Sequence, residues 1–173
     1  MANYLVAEAL TIGAMEAPKT PINGVVWALA GIALAVILAG IGSAFGVSAG
    51  ARATAGVMTE KPELFAKLLV LMLLPGTQGI YGLLVAFVAL GNLNYGAVEM
   101  SVADGLKYFA ACMPIAIVGL GSAILQGKAS VSSIALLAKK PNTFGKAMLL
   151  PAMVETYAIL ALLISILTVT NLG

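Results

Sequence analysis

Apolar residues dominate four stretches of this chain, at positions 25–51, 68–90, 108–125 and 147–169. Each is near or beyond the roughly 20 residues that cross a bilayer as a helix. Polar residues gather between them. The first connection, 52–67, carries charges and Pro62; the second, 91–107, holds Asn92, Asn94, Glu99 and Asp104; the third, 126–146, holds Lys128, Lys139, Lys140 and Pro141. The pattern predicts an all-α membrane protein of four transmembrane helices, arranged as two tandem hairpins, with helix ends that project past the bilayer. Residues 1–22 differ. Their short apolar run is broken by Glu8, and Pro18, Lys19 and Pro21 follow. The positive start and clean apolar stretch of a secretory signal are missing. This segment is expected to be retained on the outer side, with room for a short interfacial helix.

The pattern also repeats. Gly40, Gly42, Ser43 and Ala44 recur as Gly119, Gly121, Ser122 and Ala123, a displacement of 79. The same displacement carries Lys61-Pro62 onto Lys140-Pro141, Phe65 onto Phe144 and Lys67 onto Lys146. Further on the register slips, so that Pro75 answers Pro151 and Gln78 answers Glu155. Matching charged, proline and aromatic positions points to duplication within one four-helix proteolipid domain, 23–173. Its first hairpin repeat is 23–98 and its second 99–173.

Composition agrees and excludes. The chain has 173 residues, 61% of them hydrophobic and 9% charged, with a mean hydropathy of +1.07. A soluble domain has about 45–50% apolar and about 25% charged residues. There is no histidine for a Ser-His-Asp triad, a zinc site or a proton switch, and the lone Cys112 excludes an internal disulfide. Net charge is +2 without a basic run, so no nucleic acid is expected as a partner. Seven of the nine basic residues flank or occupy the first and third connections; only Lys19 and Lys107 lie on the other side. By the positive-inside bias, this is a multi-pass protein of the cell membrane with both termini outside. Loops 52–67 and 126–146 are then cytoplasmic.

Small residues mark the odd-numbered helices. Gly42, Gly46 and Gly50 recur every fourth position in the first, and Ala116, Gly119, Ala123 and Gly127 give the third a weaker version. Such faces let backbones approach closely. That approach serves either packing inside one bundle or a crowded inner layer of a closed ring of copies, with the second and fourth helices outside.

One acidic residue is out of place. Glu155 lies inside the fourth stretch, in PAMVETYAIL. A carboxylate at the bilayer centre costs about 2.5–3.5 kcal/mol on the insertion scale, and such residues are functional by default. The alternative is a protonated acid that ties two helices together. In the second stretch, LPGTQGIYG places Leu74, Thr77, Gln78 and Tyr81 on a single helical face. Pro75 lacks an N–H and loosens the local ladder, which could turn the Leu74 carbonyl toward a ligand. Thr77 offers a hydroxyl, Gln78 an amide oxygen and Tyr81 a phenolic hydrogen for a carboxylate. Gln126 is either another amide ligand or a loop-edge glutamine facing water. One carboxylate with several neutral oxygens suits a monovalent hard cation, Na⁺ or Li⁺. A proton needs fewer partners, and a divalent ion would leave net charge in the bilayer.

The hairpin repeat, LPGTQGIYG, QGK after the third stretch and PAMVETYAIL together resemble the four-helix proteolipid, or K subunit, of bacterial V-type Na⁺-ATPases. The resemblance runs from about residue 25 to 172. It implies a homo-oligomeric rotor ring in membrane lipid that carries Na⁺, with H⁺ or Li⁺ as substitutes, and no cofactor. It also implies a non-catalytic chain, a stator membrane subunit with an arginine, and a central stalk at the cytoplasmic loops. Motif by motif, the Na⁺ ligands fall on the Leu74 carbonyl, Thr77, Gln78, Gln126 and Glu155, with Tyr81 bonded to the glutamate and Pro75 in support. Proton-carrying relatives usually lack the full oxygen set. No GxxxxGK[ST] nucleotide motif occurs. Two other classes compete: a four-helix cation-coupled antiporter, which would place its acid in the first span, and a channel or fusion proteolipid, which would not need Thr77, Gln78 and Gln126.

Overall fold

The computed structural model describes residues 24–93 and 100–172. The expectations for residues 1–22 lie outside the described residues, as do residues 94–99 of the second connection. Among the described residues, four helical spans are long and apolar enough to cross a membrane: Gly24–Met58, Pro62–Asn92, Val102–Lys139 and Pro141–Thr170. The first is helix α1 (Gly24–Met58). The second opens with a tight 3-10 turn, continues as α2 (Phe65–Leu73), tightens again over Leu74–Gly76 and resumes as α3 (Thr77–Asn92). The third is α4 (Val102–Lys139), and the fourth is α5 (Phe144–Thr170) behind another 3-10 turn.

The supposed cytoplasmic loops are mostly helix. α1 runs on to Met58 and α4 to Lys139, so 52–67 and 126–146 shrink to short breaks before Pro62 and Pro141. The physical reason lies in the sequence after Gln126. Ala, Ser and Leu keep the helix hydrogen-bonded as far as Lys139, with the lysines exposed. Proline then stops each helix, because the residue before it is pushed out of the α region. Lys61 has φ −136° and ψ 65°, and Lys140 has φ −135° and ψ 80°. Each proline then occupies the first turn of the next element, where its missing N–H is no loss.

α1 and α4 form the tightest pair in the bundle. A Cβ added at Gly46 would stand 2.5 Å from the Ala123 oxygen and 2.6 Å from Pro75 Cβ, and one at Gly42 would stand 2.6 Å from the Leu120 oxygen. The small-residue face of the first helix is thus consumed within the chain. The second span packs on α1, α5 packs on α4, and α3 touches α5. One apolar cluster, around Ala35, Val85, Ile115 and Ala161, fills one end of the bundle; another, around Leu68, Leu71, Ile134 and Ala147, fills the other. Outward, Ile80, Phe87, Met153 and Leu160 are exposed, as suits lipid.

The two hairpins are also laced together at the proline breaks. Lys61 Nζ donates to the Ala138 carbonyl at 2.5 Å, and Lys67 Nζ to the Pro141 carbonyl at 3.2 Å. The Lys61 ammonium satisfies a carbonyl in the last turn of α4, and that of Lys67 bonds the 3-10 turn that follows.

Candidate ion-binding site

Between the two apolar clusters lies a polar layer, and it begins at Pro75. The 3-10 turn Leu74–Gly76 is centred on this buried proline. The turn keeps the Leu74 carbonyl beside the Thr77 side chain, whose hydroxyl donates to it at 3.0 Å. Gln78 Oε1 lies 3.4 Å from the same hydroxyl. That hydroxyl has one hydrogen for two acceptors, so three oxygens from nearby positions crowd together with a surplus of lone pairs.

Across the layer stands Gln126, which is 0% exposed. It is no loop-edge residue; with α4 continuing to Lys139, it sits mid-helix. Its oxygen accepts from Gln78 Nε2 at 2.5 Å, while its own Nε2 donates to the Pro151 carbonyl at 3.1 Å and reaches Glu155 Oε2 at 3.5 Å. Glu155, half-buried on α5, accepts a 2.6 Å hydrogen bond on Oε1 from the Tyr81 hydroxyl. Both side chains bonded to this carboxylate are therefore neutral. The one salt bridge among the described residues, Lys107 to Asp104, is far along α4. Leu74, Pro75, Thr77, Gln78, Tyr81, Gln126 and Glu155 are thus all brought into one connected network, drawn from three spans.

Two participants were not foreseen. Ser43 on α1 accepts a 2.8 Å bond from the Gly79 N–H. That N–H lies one turn beyond the distorted Pro75, so Ser43 steadies the turn that carries Thr77 and Gln78. The Pro151 carbonyl anchors Gln126, and its signal was the match of Pro151 with Pro75 in the repeat.

The profile of the ATP synthase C subunit family matches residues 30–89 and again 109–168. The chain belongs to this family of ATP synthase C subunits. The two matches begin 79 residues apart, the displacement at which glycines and lysines recur. Among its relatives, V-type sodium ATPase subunit K of Enterococcus hirae is 48% identical over 86% of this chain and 94% of its own length. A-type ATP synthase subunit K of Methanocaldococcus jannaschii is 39% identical over 79% of this chain and 59% of its own. A V-type proton ATPase subunit of Candida glabrata is 35% identical over 60% and 64%.

Proposed function

We propose that this chain is a rotor-ring subunit in the membrane sector of a V-type ATPase and carries Na⁺ at Glu155 as the ring turns. The carrying observation is the composition of the polar layer: one carboxylate bonded only to neutral side chains, in a network that runs through Gln126 and Gln78 to the Thr77 and Leu74 oxygens. An ionised carboxylate in a bilayer requires a balancing charge. A monovalent cation on Glu155, with Leu74 O, Thr77 Oγ1, Gln78 Oε1 and Gln126 Oε1 as further ligands, supplies that charge. Gln126 Oε1 has a second lone pair beyond the one that accepts from Gln78. A proton needs only the carboxyl and one acceptor, and leaves the other oxygens without a task. The sodium in the name of the Enterococcus hirae relative supports the same ion.

Each residue then has a definable role. Glu155 balances the charge, the span-two oxygens replace water around the ion, and Tyr81 and Gln126 hold the carboxylate in place. Loaded, the site is neutral and can face lipid. Release follows when a cationic side chain on a stator subunit, an arginine by the family resemblance, competes for Glu155. Nucleotide hydrolysis belongs to other subunits. The connections with Lys139 and Lys140 face the cytoplasm and both termini face outward, which places a central stalk at the proline breaks.

A carbodiimide reacts with protonated carboxyl groups and tests this directly. Labelling of Glu155 is expected to slow as Na⁺ is added at fixed pH, because bound Na⁺ excludes the proton. Labelling that is indifferent to Na⁺ across the accessible pH range would reassign the site to protons.

A further inference from the structure

We propose that Ser122 is a positioning residue for ion release. Its hydroxyl is the acceptor for the Glu155 backbone N–H in a second arrangement of α5, tightened at Pro151 as the second span is at Pro75. This deepens the Na⁺-carrying reading and rests on it.

The two prolines answer each other in the repeat but sit in different backbones. Pro75 lies in the 3-10 turn Leu74–Gly76 that interrupts the second span, whereas Pro151 lies inside the unbroken helix α5. The next residue accounts for the difference. Pro75 is followed by Gly76, which bends easily, and Pro151 by Ala152, the best helix former. The α5 ladder is nonetheless thinned at this turn, because Pro151 brings no N–H to it.

The inner helices carry a matching pair of serines. Ser43 on α1 accepts at 2.8 Å from the N–H of Gly79, four residues beyond Pro75. Its counterpart at the displacement of 79 is Ser122 on α4, and four residues beyond Pro151 stands Glu155. Ser122 is 6% exposed, yet its hydroxyl has no hydrogen-bond partner among the described residues. Ser132 on the same helix, by contrast, bonds the Lys128 carbonyl at 3.3 Å. Two contacts set the antiparallel register of α4 and α5: the Ile115 N–H donates to Ser165 Oγ at 3.2 Å, and Gln126 Nε2 to the Pro151 carbonyl at 3.1 Å. Interpolation between them brings Ser122 level with the turn that begins at Glu155. Gln126 stands one helical turn from Ser122 on the same face of α4. That face therefore holds the Pro151 carbonyl through Gln126 and keeps a buried, unused acceptor one turn away.

In a 3-10 turn a carbonyl accepts from the third residue on, not the fourth. Tightening at Pro151 draws the Glu155 N–H off the Pro151 carbonyl, and a buried N–H needs another acceptor. Ser122 supplies it, as Ser43 does for Gly79. Three residues of 3-10 winding also advance the following side chain by about 60° more than α winding does. That turns the Glu155 carboxylate away from Tyr81 and Gln126 and opens the site. Ser122 is thus unpartnered while the ion is held and bonded while it leaves.

The test is dissociation of radiolabelled Na⁺ from the purified full-length oligomer after dilution into unlabelled Na⁺, with thermal unfolding of the Na⁺-loaded protein alongside. Ser122→Ala should release Na⁺ about tenfold more slowly, because the opened arrangement then has an unpaired N–H. It should melt no lower than the parent, since the hydroxyl it removes is unpartnered in the loaded form. Ser43→Ala, which removes a hydroxyl already bonded, should melt about 2–4 °C lower. Ala152→Gly should speed release, and that gain should vanish in combination with Ser122→Ala. Release from Ser122→Ala at or above the parent's rate would overturn the proposal. So would a lower melting midpoint of its Na⁺-loaded form, or an Ala152→Gly effect that is absent or equal in both backgrounds. Those results leave Na⁺ carriage at Glu155 standing. A parent oligomer that binds no Na⁺ would remove that reading and the role of Ser122 together.

Discussion

Replacing Gln126 with leucine separates the two tasks this side chain performs. The shapes are close, so the change removes polar contacts without opening a large cavity. Gln78 Nε2 loses its 2.5 Å acceptor in a place where Gln78 is fully buried. A buried donor left unpaired costs about 1–3 kcal/mol. The Pro151 carbonyl loses a 3.1 Å donor but keeps its helical bond within α5, which adds less than about 1 kcal/mol. The 3.5 Å bond to Glu155 is long and weak and adds little to this. The total is about 1–4 kcal/mol. For a chain of this size each kcal/mol shifts the melting midpoint by about 2–4 °C, so the Na⁺-free variant should melt roughly 2–16 °C lower. Thr77→Val serves as the comparison. It removes one hydroxyl from the Leu74 carbonyl, which still accepts from the Thr77 backbone N–H, and should cost about 0.5–1.5 kcal/mol. Both variants should also bind Na⁺ more weakly, because each loses a ligand oxygen. Thermal unfolding in detergent, with and without Na⁺, reads both effects. A Na⁺-free Gln126→Leu protein as stable as the parent would refute the place of Gln126 at the centre of the network.

Tyr81→Phe removes the 2.6 Å bond to Glu155. With the carboxylate half-buried, the low end of the range for charged partners applies, about 1.5 kcal/mol, and Na⁺ affinity should fall about tenfold in equilibrium binding. Gly46→Leu should fail earlier than assembly, since even a Cβ there meets Ala123 and Pro75 of the same chain; protease digestion in membranes should show the two hairpins parted. At the start of α4, before its apolar stretch, Lys107 and then Ser101 hold the Asp104 carboxyl below its ordinary 3.8, while Ser101 Oγ accepts from the Asp104 N–H at 3.1 Å. The folded-state value is the lower one, so this help to the first turn is complete above 3.8 and is lost as pH falls below it. Hydrogen exchange at Gly105 should accelerate over that acid range in the parent and be fast at all pH values in Asp104→Asn.

The fold and half of the site could be read from the residue pattern for a physical reason. Span length, proline breaks and the face shared by Leu74, Thr77, Gln78 and Tyr81 are local properties, fixed by residues within two turns of one another. Glu155 declared itself because a carboxylate among apolar neighbours has no local excuse. Gln126 was harder. Periodicity does not say which helices touch, and the contacts that define it span 48 residues to Gln78 and 25 to Pro151. Its lysine-bearing surroundings also imitated a loop, whereas helical hydrogen bonding carries on as far as Lys139. Ser43 escaped for a related reason: its partner is a backbone N–H, that of Gly79, on another span. The glycines of α1 could be recognised as a contact face, but only packing shows that α4 of the same chain fills it.

The central claim is that Glu155 and its oxygen neighbours hold Na⁺, and radiolabelled Na⁺ binding to the purified oligomer across pH tests it most directly. Saturable binding of one ion per chain is expected, weakening as pH falls because protons compete for the same carboxylate, and absent in Glu155→Gln. Undiminished Na⁺ binding in Glu155→Gln, or no saturable binding by the intact parent at neutral pH, would contradict the account.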